Sequence, residues 1–152
     1  MAEGPKSGER APEFEARDQN GKTFALASFR GRTIVLYFYP EDDTPGCTAE
    51  ACSFRDSMSA LRDRGITVLG VSVDSESSHA RFASKYRLNF TLLSDPEKSI
   101  VRAYGVGSPL GKAKRWTYVI GPDGIIKYVF SHVTTKTHGN DVLKKLEELG
   151  LA

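Results

Sequence analysis

The pattern of apolar and polar positions along the chain predicts seven strands and four helical segments. The apolar, β-branched runs at residues 33–39 and 66–73 lack alternation, which is typical of strands buried on both faces of a sheet. An Asn-Gly turn at residues 19–22 predicts a hairpin between the first two strands. The strands are expected at residues 14–18, 23–27, 33–39, 66–73, 91–93, 116–120 and 125–130, and the helical segments at 47–64, 76–86, 100–104 and 139–149.

Helical spacing of apolar residues indicates the face that a helix buries. The first helix carries such a stripe at Ala51, Phe54, Met58 and Leu61, and the last at Val142, Leu143, Leu146 and Leu149. The order of elements is a β-hairpin, then β-α-β-α, then β-β-α, which predicts an α/β protein with a central mixed sheet flanked by helices. This is the thioredoxin-like fold with an N-terminal β-hairpin extension, an analogy that does not by itself specify chemistry.

The whole chain, residues 1–152, is expected to form a single domain. A chain of this length buries roughly two thirds of its unfolded surface, and the sequence contains no internal repeat, low-complexity tract or interdomain linker. Residues 1–12 are expected to form a loose arm, of which residues 1–7 are flexible.

Composition and charge exclude several classes of protein. The hydrophobic fraction of 39% and the charged fraction of 26% are ordinary for a globular protein, and a formal charge of +2 is too small to indicate a nucleic-acid-binding surface. There is no apolar run long enough to cross a membrane, and residues 1–10 lack the apolar core of a signal peptide. Two cysteines are too few for a disulfide-stapled scaffold, so a reducing, cytoplasmic location is expected, with a mature organellar form left open.

Both cysteines lie in a turn-rich segment, residues 37–52, between a buried strand and the first helix. Cys47 falls at the start of that helix, where free N–H groups and the helix dipole stabilise a thiolate. Thr44 is expected to cap the helix, and Pro45 suits its first position. These features favour a reactive thiol at Cys47 over the alternative, a small buried cysteine.

The spacing of Cys47 and Cys52 constrains what the pair can do. Residues five apart in an α-helix are rotated by about 140° and separated by about 7.5 Å along the axis, which places their Cα atoms beyond the ~7 Å limit for a disulfide. If the two cysteines bond, the first one or two turns must unwind. The pair is therefore either a switch or two unrelated thiols.

Metal binding and hydrolase-type catalysis are the other uses of such a cysteine. Both need soft partners, and His79, His132 and His138 all lie far from Cys47 in the sequence. We therefore expect no metal site and no Cys–His nucleophile pair. The histidines are expected to be exposed or to cap local structure.

Residues 38–56, FYPEDDTPGCTAEACSFRD, resemble the active-site segment of the peroxiredoxins, in particular the peroxiredoxin Q or bacterioferritin comigratory protein subfamily. Pro40, Thr44 and Cys47 match the family's Pro-x-x-x-Thr-x-x-Cys signature, and Cys52 matches its second cysteine. The similarity covers nearly the whole chain. It includes residues 8–14, which resemble the family's opening segment, and residues 115–124, which resemble the segment that carries its active-site arginine.

The resemblance implies a thiol peroxidase that reduces hydrogen peroxide and organic hydroperoxides in antioxidant defence. Cys47 would be the peroxidatic thiolate and form a sulfenic acid. Cys52 would resolve it as an intramolecular disulfide, which thioredoxin or a similar dithiol would reduce. No bound cofactor or metal is needed, and a monomer is expected.

The resemblance also assigns roles to four further residues. Thr44 would hydrogen-bond the sulfur and the peroxide, and Arg115 would stabilise the thiolate and the charge that develops as the peroxide bond breaks. Pro40 would shield the sulfur from water, and Glu50 would position an arginine. From the residues alone, Arg115 is better explained as an exposed strand-edge charge and Glu50 as a solvated first-turn acid.

Three rival functions are weaker. A general thiol–disulfide oxidoreductase would use a Cys-x-x-Cys pair, and a copper- or zinc-binding assembly factor on this fold would need a well-placed histidine. A redox sensor could use the same disulfide switch. The short, basic segment at residues 105–114 and the tryptophan at Trp116 depart from the family pattern, which leaves peroxide preference and oligomeric state open.

Overall fold

The protein is described by a computed structural model over residues 4–152. Seven strands form one sheet: β1 (Glu15–Asp18), β2 (Thr23–Ala25), β3 (Thr33–Phe38), β4 (Ile66–Ser72), β5 (Thr91–Ser94), β6 (Thr117–Ile120) and β7 (Ile126–Phe130). The helices are α1 (Pro45–Asp63), α2 (Glu76–Tyr86), α3 (Ser99–Ala103) and α4 (His138–Glu148), with a 3₁₀ helix at Leu26–Phe29. None of the helices in these residues is long and apolar enough to cross a bilayer.

The sheet has the order β2-β1-β5-β4-β3-β6-β7 and is mixed. Strands β3, β4 and β5 run parallel, whereas β6 and β7 on one side and β1 and β2 on the other pair in antiparallel fashion. The predicted mixed sheet and terminal hairpin are therefore present. The active segment predicted from the sequence follows β3, which lies near the centre of the sheet.

Strand β3 is buried along its whole length because each face of the sheet has its own core. Ile34, Leu36 and Phe38 pack on the face covered by α3. Val35 and Tyr37 point to the opposite face, where the core includes residues of α1, α2 and α4. This explains why the β3 sequence shows no alternation of polar and apolar residues.

The helices bury the predicted stripes with one exception. All four stripe residues of α1 are at most 3% exposed, and Val142 and Leu146 of α4 are completely buried. Leu149, however, is 38% exposed, so its predicted inward position is wrong. The reason is that α4 ends at Glu148 and the chain then turns away through Gly150, which has a φ of +73°.

The N-terminal segment is not loose over residues 8–12. The N–H of Gly8 donates to the Ile126 carbonyl at 2.8 Å, and the N–H of Ala11 donates to the Gly124 carbonyl at 2.9 Å. Ala11 is 2% exposed. The prediction of an arm is wrong here because the turn between β6 and β7 offers unpaired backbone groups that the segment satisfies. Residues 1–3 of the predicted arm lie outside the described residues.

Candidate active site

Cys47 lies in the first turn of α1 and is 1% exposed. The helix begins at Pro45, which needs no hydrogen-bond partner for its nitrogen. Thr44 occupies the cap position, but its side chain does not cap the helix; Oγ1 donates instead to the Glu41 carbonyl at 3.1 Å. The predicted side-chain cap is therefore wrong. The first-turn N–H groups, which have no acceptor within the helix, are left beside the thiol.

Arg115 and Glu50 meet beside this thiol. Arg115, just before β6, places Nη2 at 3.4 Å from Cys47 Sγ and Nη1 at 2.8 Å from Glu50 Oε1. The Glu50 side chain is completely buried and that of Arg115 is 24% exposed. An exposed strand-edge arginine and a solvated glutamate are thus both wrong. Gly46 permits the approach, since a Cβ there would lie 3.1 Å from Arg115 Nη2.

The burial of Glu50 changes its electrostatics. Removal from water raises the pKa of Glu50 to about 7, against the lowering effect of the Arg115 guanidinium. Oε1 accepts the hydrogen bond from Arg115, whereas Oε2 has no hydrogen-bond partner among the described residues. Only one of the two carboxyl oxygens is therefore hydrogen-bonded among the described residues, and the group titrates near neutral pH.

His138 lies on the other side of Glu50, contrary to the prediction of an exposed or capping histidine. Its ring is 1% exposed, with Nε2 at 2.8 Å from Thr117 Oγ1 and 3.9 Å from Glu50 Oε2. The ring packs edge-on against Phe54 and Phe130. Burial lowers the pKa of His138 to about 4, so the ring is neutral at pH 7. We call this group the helix cluster; its members are Glu50, Arg115, Thr117 and His138.

His79 is likewise buried rather than exposed. Its Nδ1 lies 2.7 Å from Asp42 Oδ2, and its Nε2 lies 2.9 Å from the Leu93 carbonyl oxygen. Asp42 also accepts hydrogen bonds from the hydroxyls of Tyr39 at 2.6 Å and Ser78 at 2.7 Å. We call this group the loop cluster; its members are Tyr39, Asp42, Ser78 and His79. It fastens the segment that precedes α1 to α2.

The loop cluster overlaps a group of side chains of the kinds that bind metal ions. Within residues 4–152, one group of three carboxylate or imidazole side chains has its ligand atoms within 4.8 Å of one another, and its members are Asp42, Asp74 and His79. Neither cysteine belongs to the group. Asp74 Oδ2 accepts hydrogen bonds from the Asp42 N–H and the Ser72 hydroxyl. The ligand atoms are thus engaged with protein donors.

The burial of His79 and His138 was not predicted, although the spacing of apolar residues on their helices indicates it. His79 lies on the same helical face as Phe82 and Tyr86, at a spacing of three and seven residues. His138 precedes Val142 by four residues and so extends the buried stripe of α4 by one turn. Extending each apolar stripe toward the N-terminus would have placed both rings inside.

The remaining predicted residues lie in or near the same loop. Pro40 and Thr44 are half-buried in the segment between β3 and α1. Glu41 of this segment forms an ion pair with Lys112, which ties the basic 105–114 segment to it. Cys52 is partly exposed one and a half turns after Cys47, and both thiols are free within one continuous helix.

Comparisons with known proteins identify the family to which the chain belongs. A protein-family model described as the AhpC/TSA family matches residues 7–129. The chain therefore belongs to this family, the peroxiredoxins, whose members are thiol-dependent peroxidases. The predicted family and the predicted thioredoxin-like fold are both confirmed.

Within this family, the chain is similar to proteins named peroxiredoxin Q or bcp. The chain is 43% identical over 141 residues to chloroplastic peroxiredoxin Q of Triticum aestivum, a match that covers 91% of this chain and 65% of the relative. It is 40% identical over 146 residues to a putative peroxiredoxin bcp of Coxiella burnetii, covering 91% and 97%. The crystal structure of peroxidoxin BcpB from Mycobacterium tuberculosis superposes with a TM-score of 0.87 at 34% identity, covering 94% and 97%.

Proposed function

We propose that the protein is a thiol peroxidase that reduces hydrogen peroxide and organic hydroperoxides and takes electrons from a thioredoxin-type dithiol. The observation that carries this proposal is the Arg115 guanidinium at 3.4 Å from the sulfur of Cys47, at the N-terminus of α1. A cation and a helix N-terminus both favour the thiolate, which is the nucleophile. The family's peroxidase chemistry supports the same conclusion.

In the first step the Cys47 thiolate attacks one oxygen of the peroxide. The S–O bond forms as the O–O bond breaks, and the leaving oxygen departs as hydroxide or alkoxide, which takes a proton to become water or alcohol. Cys47 is oxidised to a sulfenic acid and the peroxide is reduced. Arg115 donates hydrogen bonds where negative charge develops, without reorganising at the moment of reaction.

Three neighbours prepare this step. Glu50 holds Arg115 through the 2.8 Å contact and so fixes the direction of the guanidinium. The Thr44 hydroxyl donates its one proton to the Glu41 carbonyl rather than to the Cys47 sulfur, and its lone pairs remain available to accept from the O–H of a hydroperoxide. Pro40, half-buried in the same segment, shields the sulfur from water.

In the second step the Cys52 thiol attacks the sulfenic sulfur, water leaves, and a Cys47–Cys52 disulfide forms. Both residues belong to α1, so the turns between them must unwind before the sulfurs can meet. A dithiol then reduces the disulfide by exchange and is itself oxidised. No bound cofactor takes part. We further propose that the chain acts as a monomer in a reducing compartment, without nucleic-acid partners.

The test is peroxide consumption in the presence of thioredoxin, thioredoxin reductase and NADPH. We expect Cys47→Ser to abolish turnover. Cys52→Ser should stop recycling but allow one oxidation of Cys47 per molecule, detected by mass spectrometry as a trapped sulfenic acid. Full turnover by Cys47→Ser would refute the proposed function. A Cys52→Ser variant that recycles normally would assign the resolving role to another thiol.

A further inference from the structure

Glu50 lies between the two cysteines in the sequence and is buried within the helix that they share. Its carboxyl group is enclosed, with one oxygen held by Arg115 and the other without a hydrogen-bond partner among the described residues. Any unwinding that brings Cys47 to Cys52 must therefore act on the backbone that carries this carboxyl group.

Four titratable groups face Glu50, three from elements packed around it and one from its own helix. Arg115 comes from the segment before β6, and His138 comes from α4. Tyr37 comes from β3; burial, and then the charge of Glu50, raise the pKa of its phenol, whose oxygen has no hydrogen-bond partner within residues 4–152. Cys47 lies one turn earlier on α1. Since His138 is neutral, the facing cation is Arg115, which contacts both Glu50 and the Cys47 sulfur.

The far end of the movable segment is marked by α4. The N–H of Gly139 donates to Ser53 Oγ at 2.8 Å, and a Cβ on Gly139 would lie 2.4 Å from the Ser53 carbonyl oxygen. Phe54, the next residue, is completely buried. Helix α1 is thus fixed from Ser53 onward, and the six residues that must rearrange to close the disulfide, 47–52, include Glu50.

We propose that closing the Cys47–Cys52 disulfide carries Glu50 from its buried position into water, so that disulfide formation releases a proton from Glu50. The inference rests on the proposed function, since it requires that this disulfide forms. It gives Glu50 a second role: besides orienting Arg115, its carboxyl group couples the resolving step to pH.

The direction of the coupling follows from the two environments. In the helix the pKa of Glu50 is about 7 because the group is buried, and in water it returns to its ordinary value of 4.5. Between these values the reduced, helical form binds one more proton than the disulfide form. Rising pH therefore favours the disulfide by up to about tenfold per pH unit, and the effect levels off near pH 7.

The experiment measures the equilibrium between the protein disulfide and dithiothreitol. Reduction moves two electrons from dithiothreitol to the protein disulfide. The protein thiols take up two protons, or one where Cys47 is a thiolate, and by this proposal Glu50 takes up one further proton. The protein is equilibrated anaerobically with reduced and oxidised dithiothreitol at pH values from about 5.5 to 8, and the disulfide fraction is read by mass spectrometry after acid quenching. After correction for Cys47 ionisation, we expect the equilibrium constant for disulfide formation to rise close to tenfold per pH unit below pH 7.

The decisive variant is Glu50→Gln, which keeps an oxygen for Arg115 but does not titrate. Its equilibrium constant should lack this slope, whereas Glu97→Gln, which alters an exposed glutamate, should keep it. Ultraviolet thiolate absorbance on the same samples removes the contribution of Cys47 ionisation. Equal slopes in the wild type and Glu50→Gln would overturn the inference.

Two further outcomes keep the inference separate from the proposed function. If no Cys47–Cys52 disulfide forms at any pH, the proposed function fails. If Glu50→Gln does not fold, the wild-type curve still decides, since a flat curve corrected for thiolate overturns the inference. Hydrogen exchange of reduced wild type gives an independent readout: after correction for intrinsic rates, protection of residues 47–52 should fall as pH rises, while residues 54–63 stay protected.

Discussion

The loop cluster joins the segment before α1 to α2, and the helix cluster lies at the first turns of α1; both are largely buried, but they differ in how fully their hydrogen bonds are satisfied. In the loop cluster both oxygens of Asp42 accept hydrogen bonds, and both ring nitrogens of His79 have partners. In the helix cluster one oxygen of Glu50 has none among the described residues. A fully satisfied buried network holds one conformation, whereas a partly satisfied one costs less to open.

The difference matches the tasks proposed for the two regions. The loop cluster holds residues that should keep their places during peroxide attack, including the segment with Pro40 and Thr44. The helix cluster holds Arg115 for the attack and must then give up Glu50 when the helix unwinds. Buried hydrogen bonding is therefore complete where the chain stays fixed and incomplete where the proposed mechanism requires it to move.

The largest expected effect comes from removing the cation of the helix cluster. Arg115→Ala should slow the oxidation of Cys47 by about 100- to 1000-fold, because the group that stabilises the developing charge is lost. The rate is measured by rapid mixing with hydrogen peroxide under single-turnover conditions. Lys114→Ala, which removes an exposed neighbouring cation, serves as the control and should change the rate little. An unchanged rate for Arg115→Ala would remove this residue from the reaction.

A smaller effect is expected from breaking the loop cluster. Asp42→Ala leaves the Tyr39 and Ser78 hydroxyls and the His79 ring without their common acceptor. The free energy of unfolding should fall by about 3 kcal/mol, measured by urea denaturation.

The matched control for the loop cluster is His132→Ala, at an exposed histidine outside both clusters. It should change the free energy of unfolding by less than about 0.5 kcal/mol. If Asp42→Ala lowered the free energy of unfolding no more than this control, the loop cluster would not be a fixed support for the segment before α1.

The smallest effect concerns the pH dependence of stability. Burial lowers the pKa of His138 from 6.5 to about 4, so the unfolded chain takes up a proton here more readily than the folded one. As pH falls below 6.5, His138 therefore destabilises the fold. The contribution of Glu50 has the opposite sign, because burial raises its pKa from 4.5 to about 7. As pH falls below about 7, the folded chain binds a proton at Glu50 more readily than the unfolded chain, and the fold gains stability. In the wild type the two contributions oppose each other between pH 4.5 and 6.5.

Glu50→Gln removes one side of this balance. Its free energy of unfolding should fall relative to wild type by up to about 1.4 kcal/mol for each unit that the pH drops from about 7 to 4.5, measured by urea denaturation across that range. Glu97→Gln should follow the wild type. Parallel pH profiles for Glu50→Gln and wild type would mean that Glu50 titrates alike in the folded and unfolded chain, and the helix cluster would lose its special status.

Local pattern predicted much of this fold. The unbroken apolar run of β3 fixed the central strand, and the stripe on α1 identified the buried face of the helix that carries Cys47. The strand-to-helix junction also located Cys47 correctly at the start of a helix. These features are set by residues close together in the sequence, where periodicity is informative.

Contacts between distant segments could not be predicted in the same way. The burial of His79 and His138 depends on α2 and α4 folding back beside α1, and residues 8–12 are held by a turn more than 100 positions away. The pairing of Arg115 with Glu50 was expected only through the family resemblance, since the residues alone favoured exposed charges. The Thr44 cap was wrong because the hydroxyl donates to the Glu41 carbonyl and its oxygen accepts no hydrogen bond from the first-turn N–H groups.

The placement of both thiols on one helix of one chain has a kinetic consequence. Under the proposed mechanism the sulfenic acid and the thiol that consumes it are joined by only four intervening residues, so disulfide closure is a first-order event. Its rate does not depend on protein concentration, and dilution does not strand the oxidised cysteine. A second peroxide molecule competes with Cys52 for the sulfenic acid. The outcome depends on the peroxide concentration and on the intrinsic rate at which the first turns of α1 open.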